Sequence, residues 1–171
     1  MNNIQIDKCL DAIDGYCGVF SSDQTRLAGN KIKDKTSLFF IFNTDPVNKP
    51  GQHWVSIALF KNGSGYFFDS YGQYPTCKSF VNFLNKYTTT WDYNKRQLQD
   101  YFSDVCGQYC LMFIHDLSRK KMSPNRFIAQ FKKSFCENDK KVCRLVRQHF
   151  KKLCHKGSQS CMKMIHFRKK V

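Results

Sequence analysis

The run Leu38-Phe-Phe-Ile-Phe-Asn43 most narrows what this chain can become. It is short and aromatic, bounded by Ser37 before it and Thr44-Asp45-Pro46 after it, and reads as a buried strand placed centrally in a sheet. Trp54 to Phe60 reads as the next strand, turning through Lys61-Asn-Gly-Ser-Gly65 into a third over Tyr66 to Ser70. A hairpin symmetric about Gly63 sets Asp69 opposite Ile57, several residues from His53. A bulge or twist is therefore expected if those two side chains are to meet.

Helical spacing fills much of the rest. Residues 2 to 13 carry Ile6, Cys9, Leu10 and Ile13 on one face and stop at Asp14-Gly15. Residues 18 to 35 read as a loop. Thr76 to Tyr87 repeats Phe80, Phe83, Leu84 and Tyr87 behind a threonine cap, and the segment from there to Ser103 reads as a polar connection. From Cys106 to Leu117 the apolar positions 106, 110, 113, 114 and 117 share one stripe, so this helix is expected to lie buried against the sheet with Cys106 at its amino end. Ser123-Pro124 opens another helix around Phe127, Ile128, Phe131 and Phe135, and Asn138 reads as the cap of a last one through Val142, Leu145, Val146, Phe150 and Leu153. The expected fold is α+β, a mixed central sheet flanked by helices. At 171 residues, 42% of them hydrophobic, it forms a single domain over 1–171. Its carboxy-terminal part, 118–155, is helical and basic, and the tail 156–171 is a candidate for disorder.

The formal net charge of +15 is confined to one end. Residues 1 to 117 hold 11 Lys and Arg against 11 Asp and Glu, whereas residues 118 to 171 hold 17 against 2. So dense a basic surface favours a polyanionic partner, DNA or RNA, through counterion release. The longest apolar stretches fall short of the roughly 20 residues of a membrane span. The amino terminus lacks the basic-then-apolar build of a signal peptide, so a soluble, non-secreted protein with no membrane partner is expected. Nine cysteines at irregular spacing, an odd number, argue for free thiols in a reducing intracellular compartment. The Cys and His residues from Cys143 to His166 lack paired metal-ligand spacing, so no metal site is expected.

Cys106 stands out chemically. A thiol reacts as thiolate, which a helix amino terminus and a neighbouring imidazolium both favour. The Cys106 amide at a helix start lacks an internal partner and can face an oxyanion, and Gly107 would leave the backbone open to a substrate carbonyl. Cys110, one turn deeper, reads as an inert core thiol. His53, where a loop enters a strand, is the candidate base, and Asp69, at the end of the paired strand, is the candidate for orienting it. A neutral amide donor for the oxyanion could come from Gln97, Gln99 or Gln108.

The residues that carry a resemblance are now in place. Ile41-Phe-Asn-Thr44, Gly51-Gln-His-Trp54, Phe68-Asp-Ser-Tyr-Gly72, Gln99 with Cys106-Gly107, and Cys110-Leu-Met-Phe-Ile-His115 resemble, in order, motifs of the adenovirus protease family (adenain), and more distantly those of the Ulp1-like modifier proteases. The resemblance implies a papain-like, adenain-like cysteine protease fold with the nucleophile at the start of a buried helix, and Cys106, His53, Asp69 and Gln99 as catalytic residues. It implies cleavage after glycine in viral capsid or core precursors during virion maturation, by a monomer working in the virion and host nucleus. No cofactor is implied for the chemistry itself, and DNA on the surface of 118–171 is implied as an activator. A peptide activator would need a cysteine upstream of the nucleophile, and residues 87 to 105 contain none. Two other readings use the same residues: a deubiquitinase or related isopeptidase, and a basic nucleic-acid-binding protein without catalysis.

Overall fold

The computed structural model describes residues 1–32 and 36–150. Strands β1 (Tyr16–Ser21), β2 (Leu38–Asn43), β3 (Trp54–Leu59), β4 (Ser64–Phe68) and β5 (Thr90–Tyr93) lie side by side in sequence order. The two inner ladders are antiparallel and the two outer ones parallel, which makes the sheet mixed. Around it lie α1 (Asn3–Leu10), α2 (Thr25–Gly29), α3 (Lys78–Tyr87), α4 (Cys106–Arg119), α5 (Pro124–Ala129) and α6 (Phe135–His149). Every residue of β2 and β3 is buried, because helices cover both faces of the sheet.

Alternation along the strands sorts the core into two layers. Phe39, Ile41, Trp54, Ala58, Tyr66 and Phe68 face α1, α4, α5 and α6. There the Phe68 ring lies parallel to Phe113 of α4 at 4.4 Å, and Phe127 of α5 meets both rings edge-on. On the other face Phe40, Phe42, Ile57 and Phe67 pack against Ala28 of α2 and Phe80, Phe83 and Leu84 of α3. Full burial stabilises by roughly 1.5–3 kcal/mol per such side chain, so α4 is pinned along its length by its own stripe. That fixes where Cys106, its first residue, must lie.

Several expectations change. The segment read as a loop over 18–35 supplies most of β1 and all of α2, and the polar connection before Ser103 contains β5. The cap of α3 is Cys77, whose side chain makes no capping hydrogen bond, and Thr76 lies outside it. Ser123 and Pro124 open α5 as expected, but the helix stops at Ala129. Asn138 is not a cap. It lies inside α6, whose start is capped by Ser134. Leu153 and the tail 156–171 fall outside the described residues. The hairpin also needs no bulge: its loop is Lys61–Gly63, closed by the Phe60 amide donating to the Ser64 carbonyl at 2.8 Å. The pairs Ser56–Phe68 and Ile57–Phe67 follow. Continued by one step, that register carries Asp69 opposite Val55, diagonal to His53.

Asn138 is 1% exposed and holds together segments far apart in sequence. Its oxygen accepts from the Lys132 amide at 2.9 Å, and its amide donates to the carbonyls of Leu98 and Lys132 at 3.1 and 3.0 Å. Replacing it strands buried backbone groups, each costing about 1–3 kcal/mol. Asn138→Ala is expected to lower stability by about 3 kcal/mol, read as the shift in a urea unfolding midpoint. An unchanged midpoint would show that these bonds do not matter to the fold.

Candidate active site

The start of β3 and the end of β4 lie at the same edge of the sheet, because the two strands are antiparallel. Just beyond them stand His53 and Asp69, 15% and 7% exposed in their side chains. His53 arrives through Gly51, whose φ of +85° is a left-handed conformation; a Cβ there would strike the Asn43 side chain. Asp69 is followed by a turn at Gly72, φ +71°, where a Cβ would collide with the backbone of Arg96 and Gln97. Both turns are thus reserved for glycine, and each delivers a polar side chain to the rim.

The His53 Nε2 lies 2.7 Å from Asp69 Oδ1. A carboxylate only accepts, so Nε2 carries the proton and Nδ1 is left for other work. The same oxygen accepts the Tyr71 amide at 2.8 Å. Asn94 clamps the Asp69 backbone from both sides, accepting from its amide at 2.9 Å and donating to its carbonyl at 2.5 Å. Burial pushes the His53 pKa down, but hydrogen bonds to Asp69 and Cys106, and their charges, outweigh it and hold the ring up at about 9. The imidazole is therefore charged at neutral pH, the state that favours a neighbouring thiolate.

Cys106 is the first residue of α4, 8% exposed, and no side chain caps that helix start. First-turn amides there, its own included, are left for an outside acceptor. A Cβ at Gly107 would meet Trp54 and Met1 only at ordinary van der Waals distance, 3.4 to 3.5 Å. Cys110 is fully buried, and burial lifts its pKa well above that of an ordinary thiol. Cys17, Cys77, Cys106, Cys110 and Cys136 are free thiols.

Gln99 is fully buried. Its oxygen accepts from the Ser70 hydroxyl at 2.6 Å, and its amide nitrogen donates to the Ser103 carbonyl at 2.6 Å and to the Tyr71 hydroxyl at 3.3 Å. Of the other glutamines, Gln97 donates to the Gln99 carbonyl. Gln108 has a buried Oε1 without a hydrogen-bond partner. Tyr71 was not singled out by sequence. Its ring stacks on His53 at 4.7 Å and under Tyr101 at 5.2 Å, and a cavity of about 380 Å³ opens beside it, walled also by Tyr74, Pro75 and Phe80. Asn94 was missed as well; it lies 25 residues from Asp69, whose backbone it holds, and no local pattern marks it.

The charge on His53 makes stability depend on pH. Its pKa is raised above the ordinary 6.5, so the stability from its pairing is full below about 6.5 and lost as pH rises through about 9. An NMR titration of the ring is expected to show a midpoint near 9, and Asp69→Asn is expected to move it down, since burial then opposes the charge with less compensation. A midpoint unmoved by that substitution would remove Asp69 as the source of the shift.

Residues 3–153 match the model of the Ulp1 protease family, C-terminal catalytic domain. A protein of Acanthamoeba polyphaga mimivirus provisionally named a thiol protease is 36% identical over an alignment of 84 residues that covers 43% of this chain; the chain spans 28% of that protein's length. The central domain of an uncharacterized Legionella pneumophila protein shares the fold, with a TM-score of 0.55 over 90% of this chain and 97% of that domain at 13% identity. A crystallised ASFV protease aligns over 57% of this chain and 39% of its own, 22% identical, with a TM-score of 0.46, too slight a likeness to carry weight.

Proposed function

The chain belongs to the Ulp1 protease family through that catalytic domain, and from this premise we propose that it is a viral-type cysteine endopeptidase whose working residues are Cys106, His53, Asp69 and Gln99. The observation that carries the reading is the imidazole of His53, held by Asp69 at 2.7 Å and near enough to Cys106 for the thiol to help raise its pKa. The thiolate sulfur adds to a peptide carbonyl carbon, and the displaced electron pair rests on oxygen, served by the Cys106 amide and Gln99. His53 then gives its proton to the leaving amine and takes one from the water that releases the acyl group, while Asp69 holds the ring in place.

The adenovirus-like particulars extend this reading. The substrates are capsid or core precursors cut after glycine during maturation, and the enzyme works as a monomer in the virion and host nucleus. The mimivirus relative supports the viral setting. No cofactor enters the chemistry, and DNA acts as activator on the basic surface. Among the described residues, 118–150 expose Arg126, Lys133, Lys140, Arg144 and Arg147 on α5, α6 and the link between them, which supports that role. No peptide activator is invoked. No helix among the described residues is long and apolar enough to cross a membrane.

The family match also favours a second reading, in which the same residues cleave an isopeptide bond to a ubiquitin-like modifier. A peptide-library cleavage assay with and without DNA, run beside a ubiquitin-like activity probe, separates the two. Cleavage after glycine is expected, faster with DNA, and lost in Cys106→Ala. Equal turnover by Cys106→Ala would sink the assignment; a rate indifferent to DNA would remove the activator; rapid labelling of Cys106 by the probe without peptide cleavage would favour the isopeptidase.

A further inference from the structure

No step of the proposed chemistry uses the cavity of about 380 Å³ beside Tyr71, yet His53 and Asp69 both line it. Its floor is formed by Val55, Phe67 and Phe80, all buried and all in the layer that packs against α3. Alternation puts His53 on the same side of the sheet as Val55, and Asp69 on the same side as Phe67, so the floor leads up to the imidazole. Cys106, Trp54 and Phe68 belong to the opposite layer, and neither Cys106 nor Gln99 lines the cavity. The space therefore lies on the α3 side of the sheet, against the imidazole and not against the thiol. Its walls are aromatic and already in place. Tyr71 lies between His53 and Tyr101, and Tyr74 packs on Trp91 and Tyr93 at 5.6 and 5.3 Å. The segment after Tyr74 is tied down where the Cys77 thiol donates to the Thr44 carbonyl at 3.4 Å. The charged residues among the walls, His53 and Asp69, are paired with each other at 2.7 Å.

We propose that this cavity is the subsite for the leaving side of the substrate, and that it takes an aromatic side chain from one of the two residues after the scissile bond. The inference rests on the reading of His53 as the acid that completes peptide cleavage at Cys106. When the carbon–nitrogen bond breaks, its electron pair goes to nitrogen, and the proton that nitrogen takes comes from His53 Nδ1. The leaving nitrogen must then lie within hydrogen-bond reach of the imidazole, about 2.6–3.2 Å. Consecutive Cα atoms are only about 3.8 Å apart, so the first two residues of the leaving fragment stay close to the walls that His53 shares. Residues on the acyl side remain attached to Cys106 and are under no such constraint. The cavity falls in the range of about 300–1,000 Å³ typical of sites for small ligands. A ring entering it exchanges water for the faces of Tyr71 and Tyr74 and for the apolar floor. Because the walls are held before the substrate arrives, little ordering opposes that gain. A carboxylate would be buried beside Asp69 with no cation free to meet it, and a methyl group would leave most of the space unfilled.

A peptide library randomised at the two positions after the cut, with products identified by mass spectrometry, tests this on the full chain. Phe, Tyr or Trp at one of those positions is expected to raise kcat/KM about tenfold or more over Ala. Thr76 is an exposed residue of the cavity wall, so it can be enlarged without disturbing the core. Thr76→Trp is expected to crowd the mouth and bring the ratio of Phe to Ala rates close to one, and Tyr74→Ala, which removes a wall, to lower the same ratio several-fold. A urea midpoint near that of the wild type shows that each variant folds. Equal wild-type rates for Phe and Ala at both positions overturn the proposal. So does a preference for Lys, which would give the tyrosine rings to an ammonium, and so does a ratio left intact in both folded variants, which would put the preference elsewhere. If the wild type cuts no peptide of the library, the endopeptidase reading fails and takes this one with it. Peptides cut at rates indifferent to the leaving side sink the subsite alone.

Discussion

The antiparallel ladder between β3 and β4 is the constraint on which the site depends. Its register is set by a three-residue loop, in which Gly63 takes a φ of +84° and the Asn62 side chain accepts the Ser64 amide at 3.0 Å. Side chains alternate with a period of two, so a slip of one residue would send Asp69 to the opposite face from His53 and turn the Phe67 and Phe68 positions inside out. The two aromatic layers forbid that slip, since each strand buries large side chains on both faces. The packing energy of the core thus fixes the 2.7 Å contact between the His53 ring and the Asp69 carboxylate.

A second tie joins that strand end to the loop leading into Cys106. The Ser70 carbonyl accepts the amides of Leu98 and Gln99 at 2.8 and 3.1 Å, while its hydroxyl holds the Gln99 side chain. Asn94 clamps Asp69, and Asn138 reaches the Leu98 carbonyl from α6. All of these groups are buried, where an unmade hydrogen bond costs more than a made one contributes, so the network either closes fully or destabilises the fold. The loop of residues 94–105 contains no regular element, yet it is fixed from both sides, which is how α4 can present Cys106 at a defined distance from a separate hairpin.

What the residues reveal in advance follows from how local each signal is. The run from Leu38 to Asn43, the hairpin after Trp54 and the stripe from Cys106 to Leu117 each declare themselves through their own periodicity, and Cys106, His53 and Asp69 could be placed on them. β1 and β5 could not be seen this way. Both are outer strands, paired in parallel with residues more than twenty positions away, and half-buried or alternating between exposed and half-buried. A lone strand of that kind looks like a loop until its neighbour is known. Asn138 misleads for the opposite reason: asparagine favours helix caps, and here its partners lie in another segment. Tyr71 escaped notice because a ring resting on an imidazole leaves no mark in spacing. The symmetric hairpin about Gly63 failed by one residue at the turn, which becomes two at the partner.

Asp69 and Ser70 are adjacent in the chain but serve different halves of the site, one holding the His53 ring and the other the loop that leads into Cys106. A local opening of this strand end would therefore release both at once. Thermal fluctuations at this edge would divide the population into intact and silent molecules, with few of reduced competence between them. Loss of function would then be all-or-none in each molecule, and ensemble activity would count the fraction still closed. A site wired in this way has little room for partial competence: when the edge loosens, both halves are lost together.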